Sequence, residues 1–129
     1  AMRDGYRILV VEDNDLNLKL VRDVLTHAGY DVVEARTGEQ GVALATERRP
    51  DLVLMDLQLP GIDGTEALRQ MRSSPSTQTV PVVAVTAYAM REDRERALSC
   101  GFDGYLEKPL SARELPAQVH RFLKRDAND

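Results

Sequence analysis

Cysteine occurs once, at position 100, and histidine twice. One cysteine forms no internal disulfide, and a chain this poor in both residues has no cluster for zinc. A reducing cytosol is the expected compartment. No apolar run approaches the ~20 residues of a membrane-spanning helix, and no signal-peptide pattern opens the chain, so membrane insertion is not expected. Basic charge is not in excess: Lys and Arg number 17 against 21 acids, for a formal net charge of -4. That argues against nucleic-acid binding driven by backbone charge. No Gly-Lys-Ser/Thr loop is present, which excludes a Walker-type nucleotide site. There is also no internal repeat, low-complexity segment or linker. The expectation is a single domain over 1–129, with a core at about 7–123 and flexible ends at 1–5 and 125–129. Ala1 before Met2 reads as a remnant of cloning. The end at Asp129 reads either as native or as a cut within a longer protein.

What the chain does have is a regular alternation. Short apolar runs predict strands at about 7–11, 31–35, 52–56, 82–86 and 104–107. Helices are predicted at about 15–28, 38–48, 64–72, 91–100 and 112–124. Leu20, Val21, Val24 and Leu25 form the expected inner stripe of the first helix, which Gly29 stops. Thr37-x-x-Gln40, Asp63-x-x-Glu66 and Ser111-x-x-Glu114 read as capping boxes. Strands alternating with helices imply a parallel sheet with right-handed crossovers. The fold class is therefore α/β, a doubly wound (βα)5 sheet. Its flavodoxin-like strand order, 2-1-3-4-5, is carried over from known folds of this pattern rather than read from the residues.

The strand ends carry the chemistry. Ile8-Leu9-Val10-Val11 runs into Glu12 and Asp13. Leu52-Val53-Leu54-Met55 runs into Asp56. Val82-Val83-Ala84-Val85 ends in Thr86, and the strand around Tyr105-Leu106 is followed by Lys108-Pro109. In a doubly wound sheet these ends converge on one crevice. Taken singly, each residue has a plain reading: an Asp as a turn or helix cap, Thr86 as a strand residue, Lys108 as a solvated loop residue. Taken together they predict one site.

Three crowded carboxylates stay ionised only with a cation among them. All-oxygen ligands favour a hard divalent ion such as Mg²⁺. Asp13 and Asp56 are placed as direct ligands with the backbone carbonyl of Gln58, and Glu12 as a ligand through water. Lys108 and Thr86 then hold phosphoryl oxygens, and Asp56 is the nucleophile that forms an aspartyl phosphate. A haloacid-dehalogenase-type phosphatase would need a second acid two residues after the nucleophile. That position is Gln58. A flavodoxin would need a hydroxyl- and glycine-rich loop where this chain has Glu12-Asp13-Asn14-Asp15. Gln58 and Tyr88 are expected to border the path of a water attacking the phosphoryl group. His27, His120 and the run from Arg91 to Arg96 read as solvated helix surface, and Cys100 as a small buried hydrophobe.

Val11-Glu12-Asp13-Asn14, Leu54-Met55-Asp56-Leu57-Gln58-Leu59-Pro60-Gly61, Val85-Thr86-Ala87 and Lys108-Pro109 resemble the receiver (response regulator) domains of two-component signalling. The resemblance covers about Arg7 to Leu123 and is nearest to the single-domain DivK-type regulators. Receivers attached to hybrid histidine kinases share much of it. It implies a CheY-like fold and Mg²⁺-dependent transfer of a phosphoryl group from a kinase phosphohistidine to Asp56. It implies a phosphoacceptor signalling domain rather than an enzyme, and a cis peptide between Lys108 and Pro109. Tyr105 falls on the family's switch aromatic, paired with Thr86. The implied partners are a sensor histidine kinase or phosphotransfer protein, and a downstream protein on the face of the fourth helix, fifth strand and fifth helix. A receiver that opens a longer regulator remains the alternative to a free-standing one.

Overall fold

A computed structural model describes residues 5–88 and 90–128, with side chains through residue 123. Five strands alternate with five helices: β1 Arg7–Val11, α1 Asp15–His27, β2 Asp31–Ala35, α2 Gly38–Arg48, β3 Leu52–Asp56, α3 Gly64–Arg72, β4 Val82–Thr86, α4 Arg91–Ser99, β5 Gly104–Glu107 and α5 Leu115–Asn128. All pairs are parallel and the order is β2-β1-β3-β4-β5, as expected.

Alternation within β1, β3 and β4 explains why their inner residues are apolar on both faces. Ile8, Val10, Leu52, Leu54, Val83 and Val85 face the layer of α1 and α5, against Leu18, Val21, Leu115 and Val119. Leu9, Val11, Val53, Met55, Val82 and Ala84 face the other layer, against Ala67, Leu68 and Met71 of α3 and Ala97 of α4. Strands covered on both faces have no polar side to show.

The ladder register sets the level of the strand ends. Val11 lies opposite Met55, so Glu12 comes level with Asp56. Asp56 lies opposite Val85, and Thr86 opposite Glu107, so Thr86 and Lys108 each follow within a residue. Gly64 opens α3 directly against this level. A Cβ there would lie 2.6 Å from the Asp56 carbonyl oxygen, so only glycine permits the approach.

Several local expectations change. Leu18, Val21 and Leu25 form the buried stripe of α1, while Leu20 is exposed. Val21, Val24 and Leu25 turn inward as expected, but Leu18 takes the place given to Leu20, because the sheet meets the helix on its i, i+3, i+7 line. Cys100 is exposed rather than buried. α4 inserts only Ala97, and Phe102 fills the core beyond it. α1 and α4 each end one residue early. α5 starts at Leu115 rather than 112. Ser111 takes the N–H of Glu114 on its hydroxyl and that of Leu115 on its carbonyl, closing a turn first. Pro116 then falls in the first helical turn, where a missing N–H costs nothing. Thr37 and Asp63 do cap their helices, but Gln40 reaches back to the Arg36 N–H, and Glu66 bonds Arg69 and Gln70 instead. The expected ends at 1–5 and 125–129 lie outside the described residues, save Gly5 and the α5 backbone to Asn128. Among the described residues no helix is long and apolar enough to cross a membrane.

Candidate functional site

Asp56 ends the central strand and is 2 % exposed. Its two carboxylate oxygens are held differently. Oδ1 accepts the Gln58 N–H at 3.0 Å, and Oδ2 pairs with Lys108 Nζ at 2.8 Å. The same ammonium reaches Glu12 Oε1 at 3.0 Å. Glu12 is itself buried, and its Oε2 accepts the Asn14 N–H at 3.1 Å. The Lys108–Pro109 peptide is cis.

Asp13 completes the group. One carboxylate oxygen each from Glu12, Asp13 and Asp56 lies within 4.8 Å of the others. Asp13 is exposed at the rim. It is free for this because Asn14, not Asp13, caps α1 through the Asn17 N–H at 3.0 Å. The three acids and Lys108 line one open cleft of about 550 Å³, with Gln58 and the first turn of α1.

The charges around these oxygens favour a bound cation. Three carboxylates face one ammonium, an excess of two negative charges if all are ionised. Burial, more than any other cause, pushes the Glu12 carboxyl above the usual range, and the nearby Asp56 charge adds to it. The Asn14 N–H and Lys108 act the other way. Burial pulls Lys108 down, but its bonds to Asp56 and Glu12 outweigh this and leave it raised. A divalent ion among the oxygens would relieve the crowding.

Thr86 is fully buried at the end of β4. It opens not into the acidic cleft but into an adjoining one of about 290 Å³, which it shares with Leu57, Gln58, Thr65, Tyr88 and Ala97. Gln58 lines both clefts and joins them. Its amide Oε1 accepts the Thr86 hydroxyl at 3.2 Å, and the Tyr88 N–H donates to Thr86 Oγ1 at 3.1 Å. Tyr88 lines the adjoining cleft, with its ring exposed. The Tyr105 hydroxyl donates to the Tyr88 carbonyl, and the Arg94 guanidinium sits 5.8 Å from the Tyr105 ring centre.

The predicted residues therefore assemble as one acidic cleft and one neighbouring hydroxyl. The sequence reading missed the side-chain role of Gln58 as the bridge. No spacing rule marks it, since its partner lies 28 positions away at the end of β4. The surface expectations hold for His27, His120 and α4, whose Arg91 pairs with Glu95 and Arg96 with Asp93.

A family model described as the response regulator receiver domain matches residues 8–120. The polar-differentiation response regulator DivK of Brucella anthropi is 40% identical over 116 residues, which span 90% of this chain and 94% of that protein. DivK of Brucella ovis is 39% identical over the same length. Among solved structures, the receiver domain of a sensor histidine kinase from Pseudomonas aeruginosa superposes with a TM-score of 0.84 at 38% identity. That match covers 92% of this chain and 98% of the other, and the Pseudomonas domain has a magnesium ion coordinated in its active site cleft. The chemotaxis response regulator CheY4 of Vibrio cholerae, at 26% identity, gives 0.85 over 91% of this chain and 98% of its own. With its fold, its cleft and these relatives in agreement, the chain belongs to the response regulator receiver domains of two-component signalling.

Proposed function

We propose that this receiver accepts a phosphoryl group on Asp56 from the phosphohistidine of a sensor kinase or phosphotransfer protein. The observation that carries this is the Asp56 carboxylate itself. It is buried at the end of the central strand, pinned by Lys108 at 2.8 Å, and crowded by two further acids. In the transfer an Asp56 carboxylate oxygen bonds to phosphorus as the phosphorus–nitrogen bond to imidazole breaks. The imidazole nitrogen keeps the electron pair and takes a proton from solvent. The product is an acyl phosphate on Asp56.

Each neighbour then has a part. Lys108 already bridges Asp56 and Glu12, and follows the new negative charge onto a phosphoryl oxygen. Thr86 offers its hydroxyl to another. Asp13, Asp56 and the Gln58 carbonyl would hold Mg²⁺, with Glu12 acting through water. When bound, the ion supplies charge neutralisation for the incoming phosphoryl oxygens. Gln58 stands where an aspartate-nucleophile phosphatase carries its acid, which supports a signalling domain over an ester hydrolase. The output is a changed surface on α4, β5 and α5, near Met90, Arg91 and Glu107, read by a downstream protein. The cytoplasm is the proposed location, with no direct contact to nucleic acid.

The test is transfer from a phosphorylated kinase or small phosphodonor in the presence of Mg²⁺. Label that appears on the protein, and stops on chelation, supports the reading. Sustained release of phosphate from esters overturns it.

Asp13→Asn is expected to weaken Mg²⁺ binding more than Glu12→Gln, because Asp13 is the direct ligand and Glu12 acts through water. Metal titration of both variants compares them. Equal losses would put both acids in contact with the ion.

Thr86→Ala is expected to accept label but to lose the phosphorylation-dependent gain in partner affinity. Thr86 is linked to Tyr105 through the Tyr88 main chain, whose N–H donates to Thr86 and whose carbonyl accepts from Tyr105. Tyr105 is already part-buried, so burying its ring more deeply is worth a share of the roughly 1.5–3 kcal/mol of full burial, enough to bias two states several-fold. An equal gain in the parent and in Thr86→Ala would disprove the coupling.

A further inference from the structure

We infer that the Gln58 side chain is a positioning residue that holds the switch at rest. Its amide oxygen retains the Thr86 hydroxyl, and that bond has to break before the hydroxyl reaches a phosphoryl oxygen. The inference rests on the phosphoacceptor reading of Asp56.

A threonine hydroxyl has one hydrogen. Here that hydrogen is spent on Gln58 Oε1 at 3.2 Å, while the oxygen accepts the Tyr88 N–H. Thr86 is 1 % exposed, so bulk water does not readily replace either partner. Any new acceptor must displace Gln58. The Thr86 side chain is β-branched and stiff about χ1, so the exchange is a jump between discrete positions rather than a gradual turn.

Gln58 is well placed to release it. Its backbone N–H is tied to Asp56 Oδ1 at 3.0 Å, while its residue surface is largely exposed. One residue thus bonds the acceptor carboxylate through its main chain and the switch hydroxyl through its side chain. Beyond Thr86 the bonds continue through the N–H and the carbonyl of Tyr88 to the Tyr105 hydroxyl. The resting network therefore begins at Gln58 and ends on β5. The exchange trades a neutral hydrogen bond for a charge-assisted one, which is the stronger kind. Gln58 sets how much of that gain reaches the switch.

The experiment is a double-mutant cycle read by affinity for beryllium fluoride, a phosphoryl mimic, at saturating Mg²⁺. The four proteins are the parent, Gln58→Met, Thr86→Ala and the double variant. Gln58→Met keeps length but loses the amide acceptor, and Gln58→Leu is a second version. A resting bond of ordinary net strength predicts affinity tighter by about three- to tenfold in Gln58→Met. The gain should vanish in the Thr86→Ala background. No gain, or the same gain in both backgrounds, overturns the inference. A parent that takes neither beryllium fluoride nor label would instead overturn the phosphoacceptor reading.

Discussion

Asp56→Asn is expected to take no phosphoryl label, at the level of a control without protein. The amide is nearly the shape of the carboxylate but is not a nucleophile at neutral pH, since its nitrogen lone pair is delocalised into the carbonyl. The site should survive the change. Lys108 loses its charged partner at 2.8 Å but keeps Glu12 at 3.0 Å. One of three crowded charges is removed, including the Asp56 contribution that raises Glu12. The measurement is incubation with a labelled small acyl-phosphate donor and Mg²⁺. Intact mass then shows the adduct, and hydroxylamine cleaves it, as an acyl phosphate requires. Near-ultraviolet circular dichroism checks that the variant is folded. Label on Asp56→Asn equal to the parent's would place the acceptor elsewhere, with the exposed His27 and His120 the first to test.

Leu54→Ala is expected to destabilise the fold by about 2–5 kcal/mol. Leu54 is 1 % exposed on the central strand, between β1 and β4, and packs into the layer of α1 and α5. Truncation there removes apolar burial and leaves a cavity that strands bonded on both sides close poorly. The loss is a large share of the 5–15 kcal/mol typical of a domain. Urea titration reads it as a lower midpoint at unchanged slope. Leu98→Ala is the control. Leu98 is 46 % exposed on α4, and its change should stay within about 0.5 kcal/mol. A comparable loss at both positions would mean that the two-layer packing is not what holds the domain.

Much of the site was legible because its parts stand in local patterns. Asp56 follows four apolar residues, and a run buried on both faces has to be apolar throughout. Glu12, Thr86 and Lys108 stand at or just after comparable runs, and a parallel sheet gathers such ends. Other features had no local signature. Leu20 and Leu18 are equally apolar, and only the angle at which α1 meets the sheet makes one exposed and the other buried. Cys100 reads as a small buried hydrophobe from its residue type, yet it is exposed. α4 inserts only Ala97, and Phe102 occupies the space beyond. The start of α5 was read three residues early, because Ser111-x-x-Glu114 resembles a cap but closes a separate turn.

Five strand and helix units, their order along the chain, and the side chains that end the strands are all local properties of the sequence. These follow from periodicity and from position, which are properties of neighbouring residues. Which of these side chains touch depends on how the strands pair. Lys108 meets Asp56 across 52 positions, and Thr86 meets Gln58 across 28. Hydrogen bonds and close ion pairs act over about 3 Å. A shift of one residue in a ladder moves a strand end by roughly that much. The register of β1, β3, β4 and β5 therefore selects these contacts. It also parts Thr86 from the acidic cleft and leaves Gln58 as the bridge between them.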